Sequence, residues 1–139
     1  MQKCVSGIGK LHTSNLTSLT NCKITIYESQ EAICVNLGMS IESFDPINDY
    51  VEGVKKFGPV SDYLVINISS PNTPGLRKMQ TKVALQALLK ALVETRDNLP
   101  QVVKPYLLLK LAPDLSYEER KEVAEVLKMK SCKIDGLIV

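Results

Sequence analysis

Asn36, Asn67 and Lys110 each stand close to the end of an otherwise apolar run, in "AICVNL", "YLVINI" and "YLLLKL". Side chains alternate across a β-strand, so Cys34 shares a face with Asn36, Val65 with Asn67 and Leu108 with Lys110. Each run therefore carries one polar residue at its next-to-last position. A buried amide or ammonium is costly unless it is paired, so three at matching positions call for something polar between them. A hydrogen bond to the adjacent loop backbone suits one strand-end asparagine well, but three such residues in register, one of them a lysine, point to a ligand. Directly behind Asn67 the stretch "VINISSPNTPG" adds Ser69, Ser70, Asn72 and Thr73. Residues of these types favour turns for local backbone reasons. Beside Asn67 they read as a lid or wall over a small polar ligand.

Strands of this kind must be held by helices. Asp45-Pro46 is an N-cap followed by proline at the first helical position, and Ile47, Tyr50, Val51, Val54 and Phe57 then recur on one helical face. Gly58-Pro59 predicts the stop. A second helix is expected from about Lys82 to Asn98, with Val83, Leu88, Leu89, Leu92 and Val93 inward and Pro100 behind it. Ser116 and Glu119 have the spacing of a capping box ahead of Val123, Val126 and Leu127. "DGLIV" supplies a fourth strand. The order β-α-β-α-β-α-β with continuous apolar strands predicts an α/β protein with a parallel sheet. Its polar strand ends then lie at the carboxyl end of the sheet, where such proteins bind ligands. Four strands fit either an open doubly wound sheet or half of an eight-stranded barrel.

Composition narrows the classes. The chain has 139 residues, 45% hydrophobic and 23% charged, with a net charge of +2. That is a globular balance, and the interspersed charges give no electrostatic support for nucleic-acid binding. No apolar stretch approaches the roughly 20 residues of a membrane span. Cys4, Cys22, Cys34 and Cys132 are scattered, as expected for reduced thiols and not for a disulfide framework or a metal site. His12, the only histidine, has no candidate partner for a Ser-His-Asp hydrolase. No G-x-G-x-x-G or P-loop supports a small nucleotide-binding module. Residues 1–30 show no period and are read as a leader of little order, leaving 31–139 as the folded domain.

The segments "VNLG", "DYLVINISSPNTPGLR", "LLLKLAPDL" and "IDGLIV" closely resemble, in order, segments of the dihydroorotate dehydrogenase family. The resemblance implies part of a (β/α)8 TIM barrel, with about four parallel strands and three helices. It implies flavin-dependent oxidation of dihydroorotate to orotate in pyrimidine synthesis, with FMN as cofactor. By resemblance Asn36 and Lys110 contact the flavin, Asn67 lies between flavin and substrate, and Asn72 and Thr73 hold the substrate. Ser70 matches the catalytic base. Serine there, where soluble members have cysteine, resembles the quinone-reducing, membrane-associated class, placed in eukaryotes at the mitochondrial inner membrane. A complete barrel takes about 250 residues. The chain is therefore expected to be a segment of such an enzyme or, alternatively, an inactive truncated half-barrel serving only as a structural or interaction fragment.

Overall fold

Period-two alternation builds the sheet and sorts its two faces. The computed structural model describes residues 11–12, 22–28, 32–40, 42–71, 73 and 75–139. Among these, β1 (Leu11–His12), β2 (Cys22–Glu28), β3 (Ile33–Met39), β4 (Tyr63–Asn67), β5 (Tyr106–Lys110) and β6 (Gly136–Ile138) lie side by side in chain order. β3 to β6 are parallel, as expected, while β1 and β2 join antiparallel on the far side of β3. The connections carry α1 (Pro46–Phe57), α2 (Lys82–Asp97) and α3 (Tyr117–Leu127).

The face bearing Val35, Leu37, Leu64, Ile66, Leu107 and Leu109 packs into the core with Tyr50 and Val54 of α1, Leu85, Leu88, Leu89 and Leu92 of α2, and Val126 of α3. Each fully buried aliphatic side chain contributes about 1.5–3 kcal/mol. An exposed pair such as Lys55–Glu52 contributes about 0–1 kcal/mol, so the apolar layer decides the fold. The helix starts follow their caps. Asp45 Oδ1 accepts the Asn48 N–H at 3.2 Å, and Ser116 and Glu119 form a reciprocal capping box.

Three expectations need correction. Residues 1–30 are not uniformly a leader of little order: "CKITIYE" alternates Cys22, Ile24 and Ile26 against Lys23, Thr25 and Tyr27, and pairs with β3 along its whole length. Gly58 follows Phe57, the last residue of α1, where the stop was expected. It is right-handed (φ −54°) and opens a short 3₁₀ turn, Gly58–Val60. Glycine is needed there for room, since a Cβ would meet Leu99 Cδ1 at 2.5 Å. Val83 is 80% exposed, because Leu85 and not Val83 lies on the stripe shared by Leu88, Leu89 and Leu92. Lastly, the three polar strand residues are not all in one row. Asn67 stands opposite Lys110, whereas Asn36 stands opposite Val65, one step back along the same face. The cause is that β3 runs two residues beyond "AICVNL", to Met39, whose side chain is buried opposite Cys22.

Candidate functional site

The sheet face turned away from the helices is layered by register. Tyr27, Cys34, Tyr63 and Tyr106 form one row near the amino ends of the parallel strands; Thr25, Asn36, Val65, Leu108 and Gly136 form the next. Gly38, Asn67, Lys110 and Ile138 complete the face near the carboxyl ends. Polarity rises in that direction, from a stacked Tyr63–Tyr106 pair to an amide beside an ammonium.

At the carboxyl end a cavity of about 180 Å³ is lined by Asn36, Asn67, Ser70 and Thr73, with Thr25, Gly38, Met39 and Leu76 completing its wall. The predicted polar groups thus converge from two strands and the following loop. Asn36 carries the clearest signal: its Oδ1 is buried and has no hydrogen-bond partner among the described residues. Leaving a buried acceptor unpaired costs about 1–3 kcal/mol, so this oxygen is poised for a donor from a ligand. Asn67 is different. Its Oδ1 accepts from the Ser69 N–H at 3.1 Å and the Ser69 hydroxyl at 2.8 Å, so the loop-bonding role holds for this oxygen. Its backbone carbonyl is held by the buried Tyr50 hydroxyl at 2.8 Å. Burial, above all, pushes the Tyr50 pKa well above its usual value, keeping that hydroxyl a donor.

Ser70 is half-buried, and its hydroxyl makes no hydrogen bond among the described residues. Lys110 does not line the cavity; it sits half-buried beside Asn67 in register, its ammonium without an ion pair among the described residues. Asn72 lies outside the described residues. The sequence reading missed Thr25, which the alternation of β2 would have placed opposite Asn36. It also missed the Tyr50 hydroxyl, for which helical spacing gives no signal beyond burial. Together the groups offer an acceptor unpaired among the described residues, the hydroxyls of Thr25, Ser70 and Thr73, and a nearby cation. That set can hold a planar polar ligand and stabilise negative charge on it.

A parallel βα sheet with polar groups gathered at the strands' carboxyl ends fits part of a TIM-barrel enzyme. The comparison with known proteins then narrows the class. The family model "Dihydroorotate dehydrogenase" matches residues 10–139, and the chain belongs to that family. The match begins well ahead of Ala32, where the recognisable segments start. A quinone dihydroorotate dehydrogenase of mitochondria from Schizosaccharomyces pombe is 53% identical over 105 residues, which are 76% of this chain and 23% of the relative. The mouse counterpart is 47% identical over the same share of this chain and 26% of its own length. A quinone enzyme from Rhodopseudomonas palustris is 42% identical over 106 residues, 76% of this chain and 29% of the relative. The crystal structure of DHODH from Eimeria tenella in complex with ferulenol superposes with a TM-score of 0.67 at 34% identity, over 75% of this chain and 31% of that one. The chain thus spans about a quarter of the length of the curated relatives it matches. Family membership implies a flavin enzyme.

Proposed function

We propose that this chain is the central segment of an FMN-dependent enzyme that oxidises dihydroorotate to orotate and passes the electrons to a quinone. The observation that carries the proposal is the convergence of Asn36, with its unpaired buried oxygen, and of Asn67, Ser70 and Thr73 on one cavity. These residues fit a flavin: the dione edge of its ring presents an N–H to an acceptor such as Asn36 Oδ1. FMN, when bound, supplies the two-electron acceptor for hydride from the substrate. Lys110 stabilises negative charge in that region, Asn67 stands between cofactor and substrate, and Asn72 and Thr73 orient the substrate. Ser70 Oγ takes the proton that leaves the dihydropyrimidine ring. Serine is a weak base in water, so the step needs a closed, water-poor site with a route onward for the proton. The names of the relatives support a quinone acceptor and, in a eukaryote, a mitochondrial location; the inner membrane is the site we propose for it, since quinones are carried in membranes. No helix among the described residues is long and apolar enough to cross a membrane.

The test is a chimera in which residues 32–139 replace the corresponding segment of the fission-yeast relative. It should bind FMN and be reduced by dihydroorotate. Ser70→Ala in the chimera should slow that reduction about 100- to 10,000-fold with flavin content unchanged. A folded, flavin-loaded chimera that dihydroorotate does not reduce would favour an inactive structural fragment, and an unchanged rate in Ser70→Ala would remove the serine from the mechanism.

A further inference from the structure

Gln80 is one of two polar or charged side chains buried among the described residues, the other being Asp49, and none of the chemistry above uses it. It closes the stretch between β4 and α2 that carries Ser70 and Thr73. Both ends of that stretch rest on the end of β5 and the residues directly after it. At its start the Ile68 N–H donates to the carbonyl of Lys110 at 3.3 Å. At its far end the Gln80 Oε1 accepts the N–H of Ala112 at 3.2 Å. The span between them turns at Gly75, which adopts φ 81°, and its returning 3₁₀ turn buries Leu76 and Met79. An outer tie, Arg77 to Asp114 at 2.6 Å, is more than half exposed on both sides and is weakened by solvent. Ala112 is only 3% exposed, so its N–H has no water to turn to if the Gln80 oxygen is removed.

We propose that Gln80 is a positioning residue for the candidate site: through Ala112 it fixes the span bearing Ser70 and Thr73 relative to Lys110, which ends β5 two residues before Ala112. The roles it serves rest on the proposed function; the clamp itself rests on the hydrogen bonds. Its loss therefore loosens the span without dismantling the core.

Hydrogen exchange on the chain, read without flavin or substrate, tests the clamp separately from the chemistry. In Gln80→Met the Ala112 amide and those of Ser69, Ser70, Thr73 and Gly75–Met79 should exchange about tenfold faster, while those of Leu88–Leu92 and Leu64–Ile66 keep their parent rates. Gln80→Glu keeps an acceptor oxygen in either protonation state and should restore slow exchange at Ala112. In the flavin-loaded chimera, Gln80→Met should slow reduction at saturating dihydroorotate with flavin content unchanged. Parent-like exchange in Gln80→Met, or uniform acceleration across α2 and β4, would overturn the clamp. An unaltered reduction rate in a chimera whose span does exchange faster would overturn its role in positioning.

Discussion

The unpaired oxygen of Asn36 makes a prediction that runs opposite to the usual cost of a core substitution. Asn36→Leu removes a buried acceptor that has nothing to accept, so without ligand it should raise the unfolding free energy by about 1 kcal/mol. The same change should weaken FMN binding. Urea titrations with and without FMN separate the two effects, and a less stable ligand-free variant would mean that the oxygen has a partner after all. Cys22 gives the pH dependence. Its thiol is fully buried, and burial, reinforced by the charge of Asp49, pushes its pKa up to about 12 from an ordinary 9.0. A raised value means that the fold favours the neutral thiol. The contribution is therefore whole below pH 9 and is lost as pH rises toward 12, at up to about 1.4 kcal/mol per pH unit. Cys22→Val should unfold less steeply over that window when followed by circular dichroism. Parallel curves for parent and variant would show that Cys22 does not titrate with unfolding.

Helix α1 does more than cover the sheet. Tyr50 reaches through the core to the last carbonyl of β4, where the site loop begins. Tyr50→Phe keeps the ring packing and should cost about 1 kcal/mol in urea unfolding. It should also speed exchange at Ser69 and Ser70. Equal stability with unchanged exchange would show that the hydroxyl anchors nothing. The contact illustrates what sequence patterns can and cannot carry. Helical spacing put Tyr50 on the buried face of α1, since burial repeats with the turn, but which carbonyl its hydroxyl meets is set by packing between elements distant in sequence. Val83 failed for a simpler reason. It precedes Leu85 by two residues, about 200° around the helix, and the face is fixed by the leucines. β2 alternates as clearly as β3, yet it stands alone after a stretch without period and so carried no neighbouring element to support it.

At the scale of the whole molecule, the helices cover one face of the sheet, and β6 is paired on one side only among the described residues. Beside it lies an apolar groove against α3, lined by Leu115, Val123, Leu127, Leu137 and Val139. Leu137 is 48% and Val139 80% exposed. An open strand edge next to apolar surface invites pairing with another chain. Sedimentation of the chain should therefore show association that grows with concentration and falls in Leu137→Lys. An unaltered profile would place the contact elsewhere. The parallel order, the helix caps and most polar site residues were legible because each is written in local spacing; the one-step offset of Asn36 was not, because register depends on how far β3 runs before it turns. The layering of the sheet has one more consequence. Asn36, Asn67 and Lys110 lie on the face turned away from the helices while Leu37, Ile66 and Leu109 face them, so the candidate site and the core are written on opposite parities of the same strands. Deleting a single residue inside β4 would swap the two sets downstream of the break, sending an amide into the core and a leucine or isoleucine into the cavity. Within the strands, a change of length by one residue disturbs the candidate site and the core together, and only the connections can absorb it.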